Sequence, residues 1–159
     1  MSAAGEVTPS STELETLLTT LHGLRSGVLE KLAGLDDEQA RRSTVPTGTN
    51  LAGLVQHLTF VESTWFEQIV GGGGRPTRGK RTMEVDPAVT LFTLRSDYRA
   101  AWEASDEVVR RLGDPAAPVR HHGRMRDLRW AILAVINETA RHAGHADIIR
   151  EQIDGRTGR

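Results

Sequence analysis

The chain has 159 residues, enough for one domain with a core of its own and no covalent staples. Its formal net charge is −1 with 26% charged residues, so bulk electrostatics argue against a nucleic-acid or anionic-membrane partner. With no cysteine there is no disulfide, no protein thiolate nucleophile and no Cys-ligated zinc, and any metal site must use His, Asp and Glu.

The first residues, Met1-Ser-Ala-Ala-Gly-Glu6, lack the basic and apolar regions of a secretory leader. The longest apolar run, Trp130 to Ile136, is far too short to span a bilayer, so a cytoplasmic location is the default expectation. Only Lys31 and Lys80 stand against many arginines, and Ala and Gly are abundant, a bias that hints at a high-GC, actinobacterial genome. Residues 1–9 read as a tail, 10–155 as a single helical domain and 156–159 as a second tail.

Ser10 or Ser11 is the expected cap of a first helix, with Glu13 or Glu15 in its first turn. Leu14, Leu17, Leu18, Leu21, Leu24, Val28, Leu29 and Leu32 recur at helical spacing, and Gly34 marks the end. Asp36 to Arg42 suits a short helical turn. Thr49 or Asn50 caps a second long helix with Leu51, Leu54, Val55, Leu58, Val61, Trp65 and Ile69 on one stripe, stopped by Gly71 to Gly74. Glu62 falls inside that stripe, an unexpected place for an unpaired carboxylate.

The connection from Arg75 to Arg81 is basic and polar. Asp86-Pro87 reads as a cap followed by proline at the first helical position. A third helix then turns Leu91, Leu94, Tyr98, Trp102, Ser105, Val109 and Leu112 inward and stops at Gly113. A loop with His121 and His122 among Arg120, Arg124 and Arg126 leads to a fourth helix from Asp127 to Ile153. No strand pattern is evident. Four long amphipathic segments predict an all-α four-helix bundle, and connections of roughly 15 residues leave room for a crossover.

Chemistry concentrates on the last helix. At about 100° per residue, His142 lies about 40° from Glu138, and His145 about 20° to its other side. All three sit beside the apolar stripe Leu128, Ile132, Val135, Ala146, Ile149 and Ile153. Glu138 and His142 have the i, i+4 spacing that lets two ligands share an ion, although the same spacing also makes an ordinary surface ion pair. His57 on the second helix completes a two-His, one-Glu set if the two helices are neighbours. His145 is a further ligand, a general base beside the site, or plain structure. His121 and His122 with their arginines form either a solvated loop or an anion contact, and His22 reads as structural or exposed.

Leu51-Ala-Gly-Leu-Val-Gln-His57-Leu followed by Val61-Glu62-Ser-Thr-Trp65-Phe66 resembles the second helix of the DinB-like superfamily. Leu128 to Arg150, with Asn137-Glu138-Thr-Ala-Arg-His142-Ala-Gly-His145, resembles its fourth, in the branch that contains mycothiol-dependent enzymes. The resemblance implies a DinB-like four-helix bundle with a crossover connection. It also implies a divalent metal, zinc before nickel or another ion, on His57, Glu138 and His142. Maleylpyruvate isomerases of this branch carry an additional C-terminal domain, whereas the sequence stops at Arg159, so a stand-alone thiol S-transferase is the expected activity.

Such an enzyme would join a small-molecule thiol, mycothiol above all, to an electrophilic substrate, with His145 assisting proton transfer. Tyr98 or Trp65 would line the pocket, the two arginine-rich connections would border it, and a homodimer is compatible with the bundle. Two other readings share the site: a different metal-dependent hydrolase, isomerase or secondary-metabolism enzyme, and a non-catalytic metal- or ligand-binding stress protein.

Overall fold

The computed structural model describes residues 12–75 and 78–158. The expected tail 1–9 and the cap candidates Ser10 and Ser11 lie outside the described residues. Helix α1 spans Glu13–Glu30 and is opened by Thr12, whose side chain accepts from the Glu15 amide while Glu15 reaches back to the Thr12 amide. This reciprocal box satisfies two of the donors that a helix start leaves open. The short helix α2, Asp37–Arg41, repeats the device with Asp36 and Gln39. Helix α3, Leu51–Glu62, is capped by Asn50 and continues as a π-helical segment, Ser63–Val70, closed by a bond from the Gly71 amide to the Phe66 carbonyl. Helix α4 covers Leu91–Leu112, and α5 covers Leu128–Asp154.

Two contacts for each of three helix pairs fix the directions of the helices. Glu13 meets Arg129 and Lys31 meets Asp147, so α1 and α5 run parallel. Arg25 meets Asp106 while Arg95 reaches the Leu29 carbonyl, so α4 is antiparallel to α1. His57 meets Glu138 and Trp65 meets Trp130, so α3 is antiparallel to α5. Successive helices α3 and α4 therefore point the same way, and the connection between them, described at 71–75 and 78–90, returns along the bundle. This is the expected crossover, and the architecture is the expected four-helix bundle.

The return segment lies directly on α3. Gln56 donates from Nε2 to the carbonyls of Thr82 and Glu84, each at 3.0 Å, and Asn50 donates to that of Met83 at 3.1 Å. Glycine is required at Gly53, where a Cβ would come within 2.5 Å of the Met83 carbonyl oxygen. It is required again at Gly79, which combines φ +69° with close approach to the backbone of Gln56 and Phe60. Covered on this side too, α3 buries Ala52, Gln56 and Thr59 as well as its expected stripe.

Two expectations are corrected. Asp86-Pro87 does not start a helix; the Asp86 carbonyl accepts from Val89 in a turn, and Thr90 caps α4 through the Thr93 amide. The segment read as a loop contains a hairpin, with β1 at Pro118–His121 paired antiparallel to β2 at Arg124–Asp127. His122 (φ 46°) and Gly123 (φ 74°) form its two-residue turn, the left-handed pair that matches strand twist. Four-residue strands rich in arginine carry no alternation for a sequence reading to detect. The predicted inward positions of α4 are buried except Leu91, which is half-buried, and Leu112, which is exposed. Among the described residues, no helix is long and apolar enough to cross a membrane.

Candidate metal centre

The antiparallel contact of α3 with α5 brings His57 opposite one turn of α5. His57 Nε2 lies 3.2 Å from Glu138 Oε1, and His142 Nε2 lies 3.0 Å from the same oxygen. The three donor atoms lie within 4.8 Å of one another, and no other such group occurs among the described residues. Donors about 2.0–2.1 Å from a tetrahedral ion stand roughly 3.3 Å apart, so both measured His–Glu separations suit a shared ion. The side chains are mostly covered yet still reach solvent, at 15% exposure for His57, 22% for Glu138 and 13% for His142.

Electrostatics prepare these groups as neutral nitrogen donors. Burial lowers the His57 pKa, and the charges of Arg81 and Arg141 push in the same direction. Burial likewise lowers His142, to about 4, helped by His57, His145 and Arg141. A metal requires the unprotonated imidazole, so at neutral pH little energy is spent on removing protons. The second Glu138 oxygen, Oε2, is held by Arg141, leaving Oε1 to face the histidines. Arg141 follows Glu138 by three residues, the spacing of an intrahelical ion pair, and that signal was available in the sequence.

His145 stands elsewhere. Its Nδ1 is 3.3 Å from Nδ1 of His142, on the ring edge away from the converging donors, and its side chain is exposed. Glu62 is not part of the cluster. It points into the core, where its carboxylate accepts two hydrogen bonds from Arg25, from Nε and Nη2 at 2.7 Å each. Arg25 also donates to Asp106 at 2.8 Å. Burial opposes the Arg25 charge, but Glu62 and Asp106 outweigh it and keep the guanidinium protonated. Arg25 escaped the sequence reading although it sits at a stripe position, four residues after Leu21 and three before Val28.

Tyr98 is fully buried beside Trp102 and lines no open pocket, and burial raises its pKa well above the usual phenol value. Trp65 stacks on His121 (5.3 Å between centroids, 24°) and packs on Trp130 (5.4 Å), about two helical turns along the seam from His57. His121 thus fastens the hairpin to the bundle. His22 packs edge-on against Trp102, as a structural histidine would.

The helices form a bundle of DinB-like fold in which His57, Glu138 and His142 could together hold a divalent ion. Residues 16–155 match the model of the mycothiol-S-transferase family, and the chain belongs to that family. In fold it is similar to a conserved protein from Enterococcus faecalis, at TM-score 0.77 and 12% identity over 92% of this chain and 100% of that one. It is also similar to a DinB-like protein from Bacillus cereus, at TM-score 0.66 and 18% identity over 87% of this chain and 91% of that one. No curated protein matches the sequence significantly.

Proposed function

We propose that this protein is a metal-dependent thiol S-transferase that joins mycothiol, or a similar low-molecular-weight thiol, to an electrophilic small molecule. The observation that carries the reading is the convergence of His57 Nε2, Glu138 Oε1 and His142 Nε2 in a chain of the mycothiol-S-transferase family. His57, Glu138 and His142 would hold the ion, and two nitrogens with one carboxylate oxygen suit zinc. A divalent ion bound there supplies the Lewis acidity that brings a thiol from its ordinary pKa near about 8.5 to the thiolate at neutral pH.

The chain's own residues supply the rest. His57 and His142 offer neutral nitrogens because burial and the neighbouring arginines disfavour their protonation. Arg141 fixes the Glu138 carboxylate, so that one oxygen faces the two rings. His145 contacts the outer nitrogen of His142, which makes it a positioning residue for that ring, and as an exposed imidazole beside the site it is the group that would assist transfer of the thiol proton to solvent. No cysteine competes as a nucleophile, so the only sulfur attacking the electrophile is that of the cosubstrate.

Metal analysis of the purified protein, followed by incubation with mycothiol and a bimane electrophile, tests the reading. Stoichiometric metal and a metal-dependent adduct are expected. Adduct formation no faster than in the metal-free control rules out the transferase, and a protein that cannot be loaded with any divalent ion rules out every metal-based function.

A further inference from the structure

The crossover does more than return the chain. Gly79 rests on the Gln56–Phe60 backbone, Thr82 on the Gln56 amide, and Met83 on Gly53 and Asn50. The segment therefore descends α3 in antiparallel register, and Arg81 falls at the level of Gln56 and His57. Its charge acts on the His57 ring. The other arginines nearby are engaged: Arg141 by Glu138, and Arg78 by the Ala100 carbonyl and Glu67. Among the described residues, Arg81 makes no ion pair or hydrogen bond. Most exposed arginines without partners are simply solvated. This one differs because three side-chain hydrogen bonds and two glycine contacts fix the backbone on both sides of it against α3, at the turn that carries His57.

We propose that Arg81 is a specificity-determining residue that binds a carboxylate of the electrophilic substrate beside the His57–Glu138–His142 set, so that anionic acceptors are preferred to neutral ones. A guanidinium presents paired N–H donors that match a carboxylate, and the prior fixing of the segment lowers the ordering cost of using them. The assignment rests on the transferase reading for the identity of the bound molecule as an acceptor, and on the crossover geometry for the carboxylate itself.

Iodoacetate and iodoacetamide make a matched pair of acceptors. In each, the thiolate sulfur forms a bond to the methylene carbon, the carbon–iodine bond breaks, iodide leaves with the electron pair, and the thiol proton goes to solvent. With mycothiol as the thiol, Arg81→Ala is expected to raise KM for iodoacetate on the order of tenfold, with kcat and the iodoacetamide kinetics little changed. Arg81→Lys should recover part of the loss. Equal effects on both acceptors, or none on iodoacetate, overturn the proposal.

Calorimetric titration of the metal-loaded protein with succinate reads the site without turnover. Wild type should bind it on the order of tenfold more tightly than Arg81→Ala, whose thermal melt should match wild type. If neither acceptor is turned over but that difference in succinate binding remains, the transferase reading fails and the carboxylate site stands. Equal succinate binding by both proteins removes the carboxylate site whatever the activity.

Discussion

Helix α3 carries two polar clusters barely more than one turn apart, and they follow opposite physical rules. Glu62, 1% exposed, meets Arg25, 0% exposed, in a bidentate ion pair that is closed to solvent and completed by Asp106. His57 meets Glu138 and His142 at a seam that still reaches solvent, where the two rings are disposed to be neutral and one carboxylate oxygen faces both. The first cluster brings its own cation and is complete. The second gathers donors around a point at which, among the described residues, no cation is hydrogen-bonded to the inward oxygen of Glu138, and Arg141 occupies only the outer one. A buried carboxylate by itself is thus no sign of a metal site; what surrounds it decides.

The sharpest way to break this comparison is to delete a member of each cluster. Arg25→Ala strands the Glu62 carboxylate in the core, and removing one partner of a buried pair costs about 3–5 kcal/mol. Denaturant unfolding should show that loss, while the metal content of the fraction that still folds stays at the wild-type ratio. Metal lost from a folded Arg25→Ala protein would mean that the two clusters are one system. His57→Ala, Glu138→Ala and His142→Ala are expected to behave in the opposite way. Each should leave helicity by circular dichroism near wild type and bring metal below stoichiometric. A variant that keeps full occupancy removes its residue from the proposed set. His145→Ala comes next in size: as a group that orients a ligand, its loss should weaken metal binding by about 10–100-fold in a competition titration with a chelator. No change would reduce it to a surface histidine.

Much of the fold was legible because helical periodicity is a strong signal. Leu21, Val28, Leu54, Leu58, Ile132 and Val135 all turn inward as their spacing requires, and Gly113 ends its helix in the left-handed conformation. The approach of His57 to Glu138 and His142 was legible only through the family resemblance, since periodicity orients a residue on its own helix without saying which helix faces it. The partner of Glu62 was hidden for the same reason. Its stripe position marked it as buried, yet the cation that meets it lies 37 residues away on α1. The hairpin was missed because its strands are too short and too charged for a period of two; the Arg75–Arg81 connection was expected to border the site, but which of its arginines comes level with His57 depends on the path of the crossover.

The least drastic test changes only pH, to which the two histidines respond and Arg25 does not. Burial, then His57, His145 and Arg141, lower the His142 pKa to about 4 in the folded protein, against about 6.5 for an unfolded chain. Between those values the unfolded state binds more protons, so the metal-free protein should lose stability as pH falls from about 6.5 toward 4, with no further loss from this group below. His57 is lowered as well and works in the same direction. Arg25 stays protonated across the whole window and contributes no slope. Denaturation midpoints of metal-free protein at pH 7, 6 and 5 should therefore decline, and His142→Gln should flatten the decline between 6.5 and 5, above the range where most carboxylates titrate. An unchanged slope in His142→Gln would show that the α3–α5 cluster does not hold its histidine neutral, and would remove the electrostatic part of the distinction between the two clusters.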